Sequence, residues 1–349
     1  MQSKDAINLY FLLILFAFRL AGLISHRGMA ALGGIVIVLG VLLSAFPHLP
    51  NLYLGLGVAL GTGGCMCSIT GVLEINKQFT GSSRGLAHGF SLAGNTVGGL
   101  VLPGLIALLM EGWGYKGALL ILAGILLHII PVSLFYSSRK DSQVVNTAES
   151  KSENKNVFKN PRLWFCIFSM ASTTVGYTNF GLYLPLHLHT YLGFTKTVSA
   201  SYISIFALGD LSGRLTGPAL SDKFSPRWMW YCGGLIGAGS AMLCISICVD
   251  GFIIGGLTLL AGLFSGVMVG VYPALLSDEL GAENLSITYP LSQTMAGLLN
   301  LAGPPLLGML ATVLETSYVM LVLGVSLIVG SLPLAVASIV MHFRASSIG

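Results

Sequence analysis

Residues 204–218 read SIFALGDLSGRLTGP, an apolar stretch that carries one acid and one base, Asp210 and Arg214. Two residues four apart lie on the same face of a helix, so these two side chains can reach each other. A charged side chain at the centre of a membrane helix costs about 2.5–3.5 kcal/mol on insertion scales. Because only 9% of the residues are charged, a pair kept inside such a stretch indicates a polar cavity or a substrate path.

Composition predicts a protein embedded in a membrane. Hydrophobic residues make up 54% of the chain and its mean hydropathy is +0.84, whereas about 25% of the residues of a soluble protein are charged. Apolar stretches of roughly 20 residues recur, the length that a helix needs to cross a bilayer. Gly262, Gly266 and Gly270 follow one another at four-residue spacing, which allows close helix packing in lipid. We therefore expect an all-α membrane protein.

The apolar stretches predict about eleven transmembrane helices in two pseudo-symmetric halves. Residues 1–137 form an N-terminal half of about five spans, residues 138–160 a polar linker, and residues 161–349 a C-terminal half of six spans. Gly33-Gly34 and Gly233-Gly234 each enter a helix after a short basic loop, and internal repeats are typical of transporters. The predicted spans are 7–24, 30–47, 52–75, 85–110, 117–137, 161–185, 197–220, 227–249, 252–276, 286–312 and 317–342.

The positions of Lys and Arg predict the orientation. These residues concentrate in alternate loops, for example at Arg84, Lys140 and Lys223, whereas the opposite loops contain only Lys116 and Lys196. Because cytoplasmic loops carry the excess of Lys and Arg, we expect the linker and the C-terminus in the cytoplasm. The net charge of +4 then reflects loops between spans and does not indicate a nucleic-acid partner.

Three parts of the chain resemble one family. Residues 79–94, FTGSSRGLAHGFSLAG, are similar to a signature that combines an aromatic pair, basic residues and Leu-Ala-x-Gly. Asp210 and Arg214 stand where the family keeps an Asp-x-x-x-Arg pair on its eighth helix, and residues 303–308, GPPLLG, resemble its eleventh-helix run. The whole chain thus resembles the monocarboxylate transporter family of the major facilitator superfamily.

The resemblance implies a major-facilitator-type helical bundle that works by alternating access. The family's first signature and its helix-one lysine have no counterpart here, so we expect a chain without the first family helix. The implied function is secondary active, proton-coupled transport of small monocarboxylates across the plasma membrane. The alternative is a truncated, non-transporting membrane protein that binds substrate or partners.

Arg214 is the predicted anchor for a substrate carboxylate, because a guanidinium stays charged and can bind both oxygens. Asp210 is the predicted proton-coupling residue and a part of the substrate site. We hypothesise that a proton on Asp210 frees Arg214 to bind the anion, so that proton and anion travel together. The alternative is an ion pair that only holds the helix in register.

Five further residues are candidates, and each has an alternative role. Asn95 either lines the cavity or bonds to a neighbouring helix. Tyr177 and Gln293 either contact substrate or pack in the core, and Phe264 either sets the pocket size or belongs to an aromatic core. Arg84 is predicted to be a gate or loop charge near the cytoplasmic end of a span.

An enzyme is not expected, since the motif His-Glu-x-x-His does not occur in the chain.

The six cysteines fall in apolar segments, which predicts that they are core residues and do not form a metal site. We also expect no cofactor. The expected partners are a small carboxylate, a proton and membrane lipids, and the resemblance adds a single-pass glycoprotein escort as a candidate.

Overall fold

The computed structural model describes residues 25–46, 48–79, 83–136, 158–224 and 226–346, and their regular structure is helical. The main helices are α1 (His26–Ser44), α2 (Leu60–Gln78), α3 (Arg84–Leu126), α4 (Ile129–Ser133), α5 (Pro161–Thr190), α6 (Lys196–Phe224), α7 (Arg227–Ile247), α8 (Gly251–Leu280), α9 (Leu285–Val313) and α10 (Thr316–Ser346). A short α-helix (Leu49–Leu52) and a π-helix (Tyr53–Ala59) precede α2, and a 3-10 turn (Ala282–Asn284) precedes α9.

Seven helical segments of the described part are long and apolar enough to cross a membrane, as judged by length and composition. They are His26–Ser44, Pro50–Gln78, Gly104–Ser133, Arg227–Ile247, Gly251–Leu280, Ala282–Val313 and Thr316–Val340. The predicted span 7–24 lies outside the described residues. The all-α membrane fold is thereby confirmed, and from α5 onward the helix bounds differ from the predicted spans by only a few residues.

The predicted spans 85–110 and 117–137 are joined in α3, which bends at Gly114. That residue has φ of 66° and ψ of 179°, a conformation that glycine adopts without a steric penalty. The short helix α4 follows the end of α3. The predicted gap between the two spans, residues 111–116, therefore contains Gly114, where the backbone leaves the helical conformation.

The chain forms two compact units. Unit 1 comprises residues 1–78 and 101–153, and unit 2 comprises residues 79–100 and 154–349. The first part of α3 thus packs with the C-terminal helices, and its second part packs with α1.

Apolar side chains of α1 and α3 form a core in unit 1, made of Val38, Val41, Ala45, Leu119 and Ala123. Near the start of α1, Nδ1 of His26 lies 2.8 Å from Oε2 of Glu74 on α2. Gln78 donates to the other carboxylate oxygen of Glu74 over 2.6 Å. Glu74 is thus a buried acid that these polar partners tie to both helices.

In unit 2, α6 and α8 pack through glycines on both helices. A Cβ atom at Gly213 of α6 would collide with the carbonyl oxygen of Leu263, and one at Gly266 of α8 would collide with that of Asp210. Gly262 and Gly270 likewise face the backbone or side chains of α6. The expected close packing at the four-residue glycine spacing is confirmed, and it fixes the helix that carries Asp210 and Arg214.

Candidate functional site

Asp210 and Arg214 lie one turn apart on α6 and form a buried ion pair. Nε of Arg214 donates to Oδ2 of Asp210 over 2.8 Å, and the side chains are 4% and 1% exposed, respectively. The i and i+4 positions bring the two groups together without any distortion of the helix. A buried pair of opposite charges is the arrangement that makes such residues tolerable in an apolar interior.

Arg214 makes two further hydrogen bonds that tie α6 to other helices. Nη1 donates to the carbonyl oxygen of Leu92 on α3 over 2.9 Å, and Nη2 donates to the hydroxyl of Tyr177 on α5 over 2.8 Å. A guanidinium has five N–H donors. Within the described part of the chain, one N–H therefore remains on each of Nη1 and Nη2, the number that a two-point contact with a carboxylate uses.

Asp210 accepts its hydrogen bonds from the described residues on one oxygen. Oδ2 accepts from the hydroxyl of Thr96 on α3 as well as from Arg214, and the hydroxyl of Tyr177 lies 3.4 Å away. Oδ1 is buried and has no hydrogen-bond partner among the described residues. A buried acceptor without a partner is rare, and this one leaves a position on the carboxyl group where a proton can bind.

Tyr177 joins the ion pair from α5 through both its hydroxyl and its ring. The Cζ atom of Arg214 lies 5.8 Å from the ring centroid, within the range of a cation–π contact. The ring also packs at 5.8 Å from Phe206 of α6, which in turn lies 5.1 Å from Phe180. These aromatic contacts hold the Tyr177 hydroxyl beside both charges.

The first part of α3 runs along α6, and we name this contact the α3–α6 seam. Its members are Gly85, Gly89, Leu92 and Thr96 of α3, with Asp222, Pro218, Arg214 and Asp210 of α6 opposite them in that order. The two helices are therefore antiparallel in this contact. At Gly89 a Cβ atom would collide with the carbonyl oxygen of Arg214 and with Pro218, so glycine is required for this close approach.

At the far end of the seam lies a cluster of charged side chains. Asp222 accepts from the backbone N–H of Leu86 over 3.2 Å and from Nη2 of Arg227 over 2.6 Å. Arg227 also donates to Asp278 of α8, which lies 4.0 Å from Nη2 of Arg84. Arg84 is therefore part of a network of charges that joins α3, α6, α7 and α8.

The other predicted residues lie apart from the ion pair. Asn95 is exposed on α3. The ring of Phe264 packs against Gly237 of α7. Gln293 donates to the hydroxyl of Tyr289 over 3.4 Å. Of the predicted substrate residues, the structure thus brings together Asp210, Arg214 and Tyr177, and the roles of the remaining three stay predictions.

Thr96 and the carbonyl of Leu92 are the contacts that sequence reasoning missed. Asn95 was predicted because it is the more polar residue, whereas the structure buries its neighbour Thr96. The glycines of this segment could have indicated Thr96. Gly85, Gly89 and Thr96 share one face of a helix, and glycines mark the face that approaches a neighbouring helix. As for metals, no group of three potential ligands from His, Cys, Asp and Glu occurs in the described part of the chain.

Known transporters are similar to this chain in sequence. The sequence profile of the Major Facilitator Superfamily matches residues 6–299 and 169–345. Monocarboxylate transporter 12 of Xenopus laevis is 26% identical over 347 residues, which cover 90% of this chain and 74% of the relative. Monocarboxylate transporter 11 of Homo sapiens is 30% identical over 295 residues, which cover 81% of this chain and 62% of the relative.

Solved structures with the same fold are also transporters. The Escherichia coli fucose:proton symporter FucP aligns with a TM-score of 0.73 at 12% identity, over 92% of this chain and 86% of that protein. The proton:xylose symporter XylE aligns with a TM-score of 0.69 at 15% identity, over 92% and 82%, respectively. At these identities the likeness concerns the fold alone.

Proposed function

Since this chain belongs to the major facilitator superfamily, among its monocarboxylate transporters, we propose that it carries small monocarboxylates together with a proton. Members of this family are transporters and not enzymes. The observation that carries the proposal is the buried ion pair of Asp210 and Arg214. Among the residues that the structure describes, two N–H groups of the base and one oxygen of the acid have no partner.

Charge balance favours coupled movement of the anion and the proton. The empty site is neutral, because Asp210 and Arg214 cancel each other. When a carboxylate binds to Arg214 and a proton binds to Asp210, the loaded site is neutral again. A site that is neutral when empty and when loaded avoids the cost of burying a net charge, whereas an anion alone would leave one negative charge in excess.

The geometry also favours Oδ1 of Asp210 as the atom that receives the proton. This oxygen has no partner among the described residues, whereas Oδ2 holds the contacts with Thr96 and Arg214. A proton on Oδ1 removes the negative charge without breaking those contacts first. The neutral carboxyl group then holds Arg214 less strongly, because hydrogen bonds between charged groups are the stronger ones.

The transport cycle proposed here is alternating access in the plasma membrane, with the C-terminus in the cytoplasm. The relatives named monocarboxylate transporters support the substrate class, and the distribution of Lys and Arg supports the orientation. A single-pass glycoprotein escort stays a prediction. The second candidate function is a membrane protein that binds substrate or partners without moving substrate.

Reconstitution of the full chain into proteoliposomes tests the proposal. Radiolabelled L-lactate, pyruvate and benzoate serve as probes under an imposed pH gradient, and an internal dye reports proton movement. We expect accumulation of at least one probe toward the alkaline side, with matching acidification, and loss of both in Asp210→Asn. Glu315→Gln, a change at an exposed acid, is the control. Probe binding without flux would favour the non-transporting alternative.

A further inference from the structure

We propose that Thr96 is a positioning residue that holds the Asp210–Arg214 pair in a closed form, and that a solute reaches Arg214 only when α3 withdraws from α6. The role of the opening in transport rests on the proposed function. The closing contact itself does not, since it is a property of the α3–α6 seam.

Burial of the ion pair is the first observation behind this proposal. The side chains of Asp210 and Arg214 are 1% and 4% exposed, respectively, so no solute can reach them as the seam stands. Two groups of α3 contact the pair: the hydroxyl of Thr96 and the carbonyl oxygen of Leu92. Access to the pair through this side therefore requires that both contacts break.

The hydrogen bond of Thr96 is the second observation, because it differs from those of other helical threonines in the protein. Thr62, Thr70 and Thr173 each donate to the carbonyl oxygen four residues earlier in their own helix, a common arrangement. The equivalent acceptor for Thr96 is Leu92. Here Arg214 donates to that carbonyl, and the Thr96 hydroxyl donates across the seam to Asp210.

This exchange of partners gives the Thr96 hydroxyl and the Leu92 carbonyl a hydrogen bond in each of two states. In the closed state, Thr96 bonds to Asp210 and Leu92 accepts from Arg214. When α3 withdraws, the Thr96 hydroxyl can turn to the Leu92 carbonyl, as the other threonines do, so that neither of these two groups is left unpaired. Because both groups keep a hydrogen bond in either position, the movement avoids the cost of leaving a buried polar group unpaired.

The closed form also lowers the apparent affinity for substrate. A ligand that binds only the open form has an apparent affinity reduced in proportion to the fraction of molecules that are open. Thr96→Val removes the hydroxyl and keeps the branched shape. It weakens the closed form more than the open form, because the closed form loses a bond to the charged Asp210 and the open form only a bond to a neutral carbonyl. Thr96→Ser keeps the hydroxyl and serves as the conservative rescue.

Thiol labelling of the seam tests the closing contact without any substrate. Ala93 is buried on α3, close to the seam face, and Ala93→Cys places a reporter there. Maleimide labelling of this cysteine, followed by mass spectrometry, is compared in the Ala93→Cys background alone and with Thr96→Val or Thr96→Ser. The buried Cys166 and Cys232 of the same unit are internal controls for unfolding.

We expect labelling of the reporter to be about tenfold faster with Thr96→Val, which is the effect of losing one hydrogen bond to a charged group. With Thr96→Ser the rate stays near that of the background, and the labelling of Cys166 and Cys232 does not change. Equal rates in all three proteins would overturn the proposal, whatever the transport assays show.

The second readout needs no new cysteine. In Thr96→Val we expect the KM of the transported probe to fall several-fold and, because the closed form is weakened, the maximal rate to change as well, with both restored in Thr96→Ser. A threonine that only fills space would leave KM unchanged in the valine variant. If no probe is transported by the wild type, the proposed function fails, while the labelling experiment still decides the role of Thr96.

Discussion

Tyr177 and Arg214 are joined twice, although they come from different helices. The hydroxyl of Tyr177 accepts a 2.8 Å hydrogen bond from Nη2 of Arg214, and the ring centroid lies 5.8 Å from the guanidinium carbon. The same hydroxyl is 3.4 Å from Oδ2 of Asp210. Tyr177 therefore sets the direction of the guanidinium and contacts both members of the ion pair.

Replacement of Tyr177 by Phe removes the hydroxyl and keeps the ring. We expect the KM for a transported monocarboxylate to rise about tenfold, since a hydrogen bond to a charged group contributes about 1.5–3 kcal/mol. The amount of protein at the cell surface should stay the same, because the contact with Phe206 remains. Uptake measured against surface biotinylation checks this, and a variant with wild-type kinetics would exclude a role for the hydroxyl.

The glycine contacts between α6 and α8 predict a sharp difference between two substitutions in one helix. Gly266→Ala places a Cβ atom against the backbone of Asp210, whereas a Cβ atom at Gly256 meets nothing within 4 Å. We expect Gly266→Ala to cost about 1–3 kcal/mol, as overpacked sites do, and to lower the Tm by several degrees. Gly256→Ala, the control, should leave the Tm unchanged or slightly higher. Equal melting curves in detergent would show that the helices are not in such close contact.

The charged cluster at the end of the seam predicts a stability effect of Asp222. Its side chain is 2% exposed and lies 2.6 Å from Nη2 of Arg227. Asp222→Asn therefore removes the buried one of the two carboxylates, Asp222 and Asp278, that pair with this guanidinium. Loss of one member of a buried pair costs about 3–5 kcal/mol. We expect a clear drop in Tm and in the yield of monodisperse protein.

The control for that experiment is Asp250→Asn. Asp250 is exposed and caps α8 by accepting from the N–H of Ile253 over 3.0 Å. Asn caps helices about as well as Asp, so this variant should melt like the wild type. If both variants melt alike, the ion pair of Asp222 contributes nothing measurable.

Local patterns in the sequence predicted much of the fold. Apolar length located the helices, and four-residue spacing located both the glycine contacts of α8 and the pairing of Asp210 with Arg214, since these features depend on one helix at a time. The break between spans 85–110 and 117–137 was predicted as well, but not that a single non-helical residue, Gly114, makes it, since an apolar pattern does not distinguish a bend from a loop.

Contacts between two helices could not be predicted from the sequence. Asn95 and Thr96 differ by one position, and only the register of α3 against α6 makes Thr96 the residue that reaches Asp210. The charged cluster joins Arg84, Asp222, Arg227 and Asp278, which come from four helices. Spacing along the chain gives no measure of such distances, so only Arg84 was singled out beforehand.

The central claim is that Arg214 binds the carboxylate of the substrate, and its most direct test is uptake by Arg214→Gln. Proteoliposomes with equal amounts of wild type, Arg214→Gln and the control Thr216→Val, a change at an exposed residue of the same helix, are given a radiolabelled monocarboxylate under a pH gradient. We predict wild-type uptake in the control and no uptake above empty liposomes in Arg214→Gln. Uptake by Arg214→Gln at the wild-type rate and KM would contradict the account.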